Sequence, residues 1–434
     1  MRNCKIKLKK KRMMKKNKLF LTIIILFIVS WSRLLSEMYY LHDLINHGVE
    51  KSIVMIRSDI TKQNIKSGYY RNLLDILPKS SYDASYSDAS NIDSYYSSTF
   101  SIGKSIYLND PTYFNLRRSN LERQISNFDH ENLKKKTAFD ILKIYIDIIQ
   151  QNKRIKIAKE SLMLQKRLHE QMLIQYESRK KTIYDVQQSQ IDTLNTHIQV
   201  IELENALFQQ RENLFFLIKM DDKGYPLEEY DFSILYEEKN DIDTYSNLSI
   251  KSSEISLHID KLNLTQQYLS LYPSLSVGFN WSRGAMDHEI NEVFYKNENY
   301  HDNHTFSINL SYPLFNHFQQ GINYRMTKRT HALKKLELDN STSDLKIQIK
   351  ILETDLIKLK NTYDLYLKRR DLARVGLSIA EERFSLGIIN YLDLDNARIQ
   401  YLNAEESVLN RFYDVIKKQE ELNFLTSKSI LGIW

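Results

Sequence analysis

The chain has 434 residues with 10 glycines, 5 prolines and a single cysteine, and its formal net charge is +7. So few helix breakers favour long uninterrupted helices, and a lone cysteine excludes a disulfide framework. Eight lysines and two arginines lie in residues 1–32, which hold no acid, so the rest of the chain carries 7 − 10 = −3. The excess of positive charge therefore lies at one end of the chain and does not indicate a nucleic-acid partner.

The first 32 residues have the three-part pattern of a secretory signal peptide. A basic stretch ends at Lys18, an apolar run of eleven residues extends from Leu19 to Val29, and Ser30-Trp31-Ser32 supplies small residues for cleavage. Eleven residues are too few for a membrane-spanning helix, which needs about 20. We predict a signal peptide over residues 1–32, and the alternative is an uncleaved N-terminal anchor.

A first set of elements is predicted between residues 33 and 219. A helix over residues 37–76 stops at Leu77-Pro78, because proline disfavours helix at the preceding residue. Asn109-Asp110-Pro111 then begins a very long helix. The predicted elements after the first helix are strands at about 79–88 and 98–107, a long helix at about 111–178 and a helix at about 184–219.

A second set with the same order follows a link at residues 220–247, where Gly224 and Pro226 interrupt the helical pattern. This second set occupies residues 248–427 and leaves a tail at 428–434. Its predicted elements are a helix at 248–271, strands at about 273–283 and 303–313, a long helix at about 319–386 and a helix at about 391–427.

The two sets are also related in sequence. Residues Tyr176 to Leu217 align with Phe384 to Leu425 at a constant offset of 208 without a gap. Thr99-Phe100-Ser101-Ile102 recurs as Thr305-Phe306-Ser307-Ile308. Two copies of roughly 200 residues predict one elongated unit built from two structural repeats.

The predicted strands of the second repeat alternate strictly between apolar and small polar residues. Segments of about ten residues with this alternation suit the wall of a membrane β-barrel, although an ordinary half-buried sheet gives the same period. Lys104 falls on the corresponding face of the first repeat. The residues that we expect to face lipid are Leu275, Val277, Phe279, Trp281, Phe306, Ile308 and Leu310.

The long helices carry a seven-residue apolar repeat. In the predicted helix at 319–386 the repeat includes Leu338, Leu345, Leu352 and Leu359. A strict heptad imposes coiled-coil packing. At 1.5 Å per residue this helix spans about 100 Å, so it belongs to a rod, a bundle or the wall of a tube.

Together these features resemble the TolC-like outer-membrane efflux protein family over essentially the whole chain after the leader. The most specific segments are Phe384-Ser385-Leu386-Gly387 and Tyr391-Leu392-Asp393-Leu394-Asp395-Asn396-Ala397-Arg398. Ile183-Tyr184-Asp185-Val186-Gln187 is similar to the family's aspartate-valine-glutamine run, and Ser311-Tyr312-Pro313-Leu314-Phe315 to its motif after the last strand.

The resemblance implies a mainly α fold with a membrane β part. Each protomer of a homotrimer would give four strands to a shared 12-stranded β-barrel in the outer membrane of a diderm bacterium. Its helices would form a periplasmic coiled-coil tunnel. The partners implied are a periplasmic membrane-fusion adaptor and an inner-membrane exporter, proton-driven (RND) or ATP-driven (ABC). The function expected is passive exit in multidrug efflux or type I secretion.

The resemblance also implies positions for a pore constriction. Asp393 matches an aspartate that rings the narrow end of the tunnel, and Asn396 stands where the family has a second aspartate. Asp185 matches an acidic partner, whereas Phe384 and Ile389 replace a tyrosine and an arginine that lock the closed tip. The alternative for Asp393 is that it only begins the last helix, where the helix dipole favours an acid.

The adaptor is expected to meet the turns between paired helices. These turns contain Leu386, Gly387 and Ile388 in the second repeat, and Arg179 and Lys180 in the first. Glycine suits a turn that needs positive φ, and the first repeat lacks it. Adaptor contacts are therefore expected to differ between the two repeats.

No motif indicates an enzyme or a cofactor site. His288, His301 and His304 cluster near Asp287 and Asp302, but their spacing matches no metal-ligand set, so we expect polar residues of an exposed loop and no metal. The alternative to a channel is a periplasmic coiled-coil scaffold without a pore, held by an uncleaved leader. Such a scaffold gives the four strands no role.

Overall fold

The computed structural model describes residues 38–89, 92–107, 110–230, 232, 247–294, 300–312 and 316–428. The predicted signal peptide, most of the link at 220–247 and nearly all of the predicted tail lie outside these residues. No helix among the described residues is long and apolar enough to cross a membrane.

The described chain is mostly helical, with four strands in two pairs. The helices are α1 Leu41–Lys51, α2 Ile53–Leu74, α3 Pro111–Glu177, α4 Ile183–Ile218, α5 Leu248–Leu269, α6 Ile290–Phe294, α7 Asn316–Ser385 and α8 Tyr391–Leu425. The strands are β1 Lys79–Ala89, β2 Ile92–Tyr107, β3 Ser274–Asp287 and β4 His301–Ser311. Helix, strand, strand, long helix and helix follow each other in both halves, which confirms the predicted fold class of long helices with four strands.

Local signals explain where the long helices begin. The Asp110 side chain accepts a hydrogen bond from the backbone N–H of Thr112 at 2.8 Å, and Pro111 occupies the first turn of α3. Asn247 caps α5 in the same way through the backbone N–H of Ser249. A capping side chain and an N-terminal proline satisfy or remove the donors that a helix start leaves unpaired.

The prediction of one helix over residues 37–76 is wrong, because the chain breaks at Ser52. That residue has an extended backbone, with φ −63° and ψ 142°. Its side chain accepts a hydrogen bond from the backbone N–H of Met55, and so caps α2. Serine bonds its own backbone readily, which lets it end one helix and begin the next.

The four strands form one antiparallel sheet in the order β1-β2-β3-β4. The two repeats meet between β2 and β3, where Ile102 lies opposite Trp281 and Ile106 opposite Val277. β1 and β4 are the outer strands. Among the described strands, β1 pairs only with β2, and β4 pairs only with β3. The sheet therefore presents two open edges of unpaired backbone groups.

The helices pack as two antiparallel pairs, α3 with α4 and α7 with α8, which meet along α3 and α8. The largest core lies midway along α3 and includes Tyr145 and Leu142, with Leu214 of α4 and Tyr413 of α8. α1 packs on this core, and Tyr39 forms a parallel bridge to Leu227 of the link. A second, smaller core lies at the far end of the helical pairs, and it positions the candidate site.

Candidate functional site

Each helical pair ends in a tight turn, and the two turns share one backbone geometry. Gly387 after α7 has φ +73°, and Arg179 after α3 has φ +55°. In both turns the next residue bonds back to the helix, from Ile388 N to Arg383 O and from Lys180 N to Gln175 O. This is a Schellman ending, which usually carries glycine. The first repeat thus keeps the geometry without the glycine.

The helices that leave these turns are capped by Thr182 and Asn390, and the predicted constriction residues Asp185 and Asp393 lie in their first turns. Thr182 and Asp185 form a capping box, in which the backbone N–H of Thr182 donates to Asp185 Oδ2 at 2.9 Å. These hydrogen bonds, together with the nearby Lys181, hold the pKa of Asp185 below its usual range. In the second repeat Asn390 accepts from the backbone N–H of Asp393 at 2.9 Å. Asp393 therefore does occupy the first turn of α8, where an acid suits the helix dipole.

The Asp393 side chain is exposed, and so is that of Asn396 one turn later. Asp395 points elsewhere, as the helical geometry predicts, and is buried. The protomer therefore leaves the Asp393 carboxylate free to face a pore. Its role at a constriction stays a prediction.

Two of the predicted gate residues lie inside the tip. Phe384 is buried in the second core against Met172 and Leu394, and Ile389 packs against the same core. The Lys181 ammonium lies 5.5 Å from the centre of the Phe384 ring. Both side chains thus belong to the core of the tip in the protomer, because apolar side chains are better buried than exposed to water. Their role at the gate stays a prediction.

A buried polar cluster joins the two helical pairs just above this core. Gln165 Nε2 of α3 donates to the Tyr391 hydroxyl at 2.6 Å, and that hydroxyl donates to Asp192 Oδ2 of α4 at 3.1 Å. Tyr391 is 4% exposed and Gln165 is fully buried. Burial and the neighbouring carboxylates of Asp395 and Asp192 raise the pKa of Tyr391. Sequence reasoning missed this cluster, which joins residues about 200 positions apart.

A second buried polar contact lies one turn along α8. Arg398 Nη2 donates to Asp395 Oδ1 at 2.7 Å, and both side chains are almost fully buried. Burial raises the pKa of the Asp395 carboxyl, while the Arg398 charge opposes the rise. The nearby Asp192 adds to it.

The turn surfaces differ in chemistry between the repeats. Leu386 and Ile388 expose 68% and 67% of their surfaces, beside the glycine. At the equivalent place the first repeat presents the exposed side chains of Arg179 and Lys180. One turn is therefore apolar and the other is basic.

The sheet has one apolar face and one small polar face. Leu275 lies opposite Leu310, Val277 opposite Ile308 and Phe279 opposite Phe306, so the predicted lipid-facing residues do share a face. Most of that face is exposed in the protomer, and Leu310 reaches 73%. Such an exposed apolar face marks a surface for lipid or for another protein.

Lys104 lies on this apolar face, opposite Phe279, so the register is as expected. Its ammonium donates to the backbone oxygen of Asp75 at 2.7 Å. Asp75 directly follows α2, at the end of the sheet where the helices begin. The charge thus reaches towards the helical end of the sheet, as a lysine near a membrane boundary does.

The histidines near the second strand pair do not converge. His288 bonds to the backbone oxygen of Ser94, while His304 lies opposite Trp281 and His301 opposite Gly284. Within the part of the chain that the structure describes, no group of three potential ligands could hold a metal ion.

Comparison with known proteins agrees with this architecture. The sequence profile described as outer membrane efflux protein matches residues 246–427. No curated protein sequence matches the chain significantly.

Among solved structures, the fold is similar to the outer membrane protein VceC of Vibrio cholerae, with TM-score 0.79, 12% identity and coverage of 90% of this chain and 96% of that one. It is similar to the Campylobacter jejuni CmeC outer membrane channel, with TM-score 0.77, 15% identity and coverage of 89% and 85%. The Neisseria gonorrhoeae MtrE channel in its open state gives TM-score 0.77, 14% identity and coverage of 90% and 89%.

Long paired helices ending in capped turns, joined to a four-stranded sheet with an apolar face, define an outer-membrane channel-tunnel fold. Residues 246–427 match the outer membrane efflux protein family, and the chain shares its fold with solved channels of the outer membrane.

Proposed function

We propose that three copies of this chain form a passive exit duct across the periplasm and the outer membrane, within a tripartite multidrug-efflux or type I secretion machine. The observation that carries the proposal is the sheet with two open edges and an exposed apolar face. In lipid every backbone polar group needs a partner, so four strands alone are not viable. Three copies supply twelve strands, an even number that closes around a lumen.

The strand directions suit this closure. Neighbouring strands alternate in direction from β1 to β4, so the β4 edge of one copy runs antiparallel to the β1 edge of the next. The same contact repeated three times closes a ring without a two-fold axis.

Two exposed apolar seams on the helices support the same assembly. On α7, Leu365, Leu372 and Ile379 recur every seven residues and expose 62%, 74% and 46% of their surfaces. On α4, the exposed apolar residues recur at intervals of three and four. They are Ile191, Leu194, Ile198 and Ile201. Heptad seams bury themselves against a facing helix, so we assign α4 of one copy to α7 of its neighbour.

The partners proposed are a periplasmic membrane-fusion adaptor and an inner-membrane exporter of the RND or ABC type. The basic turn with Arg179 and Lys180 favours acidic contacts on the adaptor, and the apolar turn with Leu386 and Ile388 favours apolar ones. The adaptor would therefore meet two kinds of turn around the tip.

Asp393 is proposed as the constriction residue, with Asn396 and Asp185 beside it. Three exposed carboxylates around a narrow pore make a negative field that favours cations. In planar bilayers, Asp393→Ala should raise single-channel conductance or weaken block by divalent cations. Asn396→Asp adds charge and should strengthen the block. An unchanged trace for Asp393→Ala would remove this residue from the gate.

The channel assignment itself is tested by fractionation and gel migration. In fractionated cells the protein should be found in the outer membrane. The purified protein should migrate on a gel as an oligomer that dissociates on heating. A monomer recovered from inner membranes would instead favour a scaffold without a pore.

A further inference from the structure

The short helix α6 lies in the connection between β3 and β4, and it packs back against β2 and β3. Val293 of α6 is fully buried, and so is Ser98 of β2, while Ala285 of β3 is buried opposite Ser98. The Tyr300 hydroxyl donates to the backbone oxygen of Val293 at 2.8 Å and lies 3.4 Å from Ser98 Oγ. α6 and Tyr300 therefore cover one end of the sheet, and we call them the strap.

The strap lies on the apolar face of the sheet. The register between β2 and β3 is continuous over the described pairs, so side chains alternate regularly between the two faces. Ser98 therefore shares a face with Phe100, and Ala285 shares it with Trp281. Where the strap lies, this face is covered by the protein itself and is closed to lipid chains.

The uncovered part of this face has the length of a membrane-spanning strand. On β3 the apolar residues extend from Leu275 to Trp281, and Arg283 is the next residue on the same face. A strand of a membrane barrel crosses the hydrocarbon with about 9 to 11 residues. β3 has 14 residues and β2 has 16, so both are longer than a membrane requires. The surplus lies at the strap, because the long helices begin at the other end of the sheet.

Charged and aromatic side chains replace the apolar ones beside the strap. Arg283 lies opposite Asp302 on this face, with Nε 3.9 Å from the carboxylate, and both side chains are exposed. Tyr82 and Tyr86 of β1 are exposed on the same face, and the Tyr86 ring lies 5.0 Å from that of Tyr96. Charged groups are costly inside the hydrocarbon, and aromatic residues are enriched where a barrel meets the headgroups. We call these side chains and the strap the collar.

We propose that the collar is a contact surface for the lipid headgroups of the outer leaflet, and that acyl chains reach the sheet only on the Trp281 side of Arg283. The collar directly continues the apolar face, and its tyrosine hydroxyls and guanidinium suit headgroups that carry phosphate and hydroxyl groups. The strap lies on the central strands β2 and β3, so the two edges stay available for ring closure. This inference rests on the proposed membrane barrel and adds the place where the barrel leaves the hydrocarbon.

Spin labelling tests the collar, because the only cysteine of the chain, Cys4, lies in the predicted signal peptide. In a Cys4→Ser background, single cysteines replace exposed residues, namely Ile308 in the apolar band, Tyr86 and Ile290 in the collar, and Thr305 on the polar face. The full-length oligomer is labelled with a nitroxide and reconstituted in phospholipid vesicles. Two relaxing agents are compared, oxygen, which concentrates in the hydrocarbon, and nickel chelated on lipid headgroups.

We expect oxygen to relax the Ile308 label several times more strongly than the labels at Tyr86 and Ile290. Headgroup nickel should give the reverse order, because it is held at the depth of the collar. Thr305 is the matched control, since it lies on the same strand as Ile308 and faces the opposite side. Its label should respond weakly to both agents.

The outcomes separate the collar from the barrel. Collar labels that respond to oxygen as strongly as the Ile308 label would show acyl chains at the collar and overturn the proposal. Collar labels that respond to neither agent would show that the collar stands in water clear of the lipid, which overturns it as well. If the Ile308 label responds to oxygen no more than the Thr305 label, the sheet is not in a membrane, and the proposed barrel fails together with the collar.

Discussion

Replacing Tyr391 by phenylalanine should loosen the contact between the two helical pairs at the tip. The change removes one hydroxyl and leaves the buried ring in place. Gln165 Nε2 and Asp192 Oδ2 then lose their shared partner, and Gln165 Oε1 already has none among the described residues. A buried polar group left unsatisfied costs about 1 to 3 kcal/mol. Because Gln165 is fully buried, we expect about 2 kcal/mol, which is roughly a thirtyfold change in an opening equilibrium.

Hydrogen exchange read by mass spectrometry measures this opening directly. Peptides from the start of α8 should lose about thirtyfold in protection in Tyr391→Phe, whereas peptides from the large central core should not change. Tyr184→Phe is the control, because Tyr184 lies in the first turn of α4 and is 69% exposed. Asp192→Asn should lower protection by less in the Tyr391→Phe background than in the wild type. Equal protection in Tyr391→Phe and Tyr184→Phe would refute the assigned role of the hydroxyl.

Three further predictions concern single positions. Gly387→Ala should destabilise the turn by about 1 kcal/mol, because its φ is +73° and no described atom lies within 4 Å of an added Cβ. Gly376→Ala, inside α7, should stabilise the protein by a similar amount, and thermal melting measures both changes. The pKa of Asp185 is depressed, so its capping contribution is present above about pH 4 and is lost as the pH falls through the folded-state value. Ile102→Lys should cost about 2 to 4 kcal/mol in barrel unfolding by urea, whereas Lys104→Met should change little.

Each of these has an outcome that contradicts it. Equal melting shifts of the same sign for the two glycine variants would show that φ does not decide the effect. For Asp185, the first-turn amides of α4 should become less protected in acid, and Asp185→Asn should abolish that dependence. Matching pH profiles for the two proteins would count against the capping box. A large gain from Lys104→Met would mean that its ammonium lies deep in the membrane and not at its boundary.

Periodicity along the sequence predicted most of the elements of the fold. Heptads identified the long helices, and alternation identified β3 and β4, because both patterns record which side of a local element is buried. The break at Ser52 was missed, because a single serine interrupts a helical pattern less clearly than a glycine or a proline does. The αL conformation of Arg179 was also invisible, because arginine gives no signal for positive φ.

The candidate site was only partly predictable for a different reason. The places of Asp185 and Asp393 in the first turns of their helices follow from local sequence, and the structure has them where the repeat places them. Contacts between helical pairs depend on how the pairs are rotated about each other, which no local pattern records. The burial of Phe384 was therefore not predicted, and the cluster around Tyr391 was missed.

The open edges of the sheet have a genetic consequence. In the proposed ring of three copies, each copy would pair one edge strand with each neighbour. A proline that blocks the outer edge of β1 would then disrupt every ring that contains the altered chain. In a cell that makes altered and normal chains in equal amounts, only about one ring in eight would contain normal chains alone. Such an allele should therefore be dominant over the wild type, whereas an early stop codon in the same gene should be recessive.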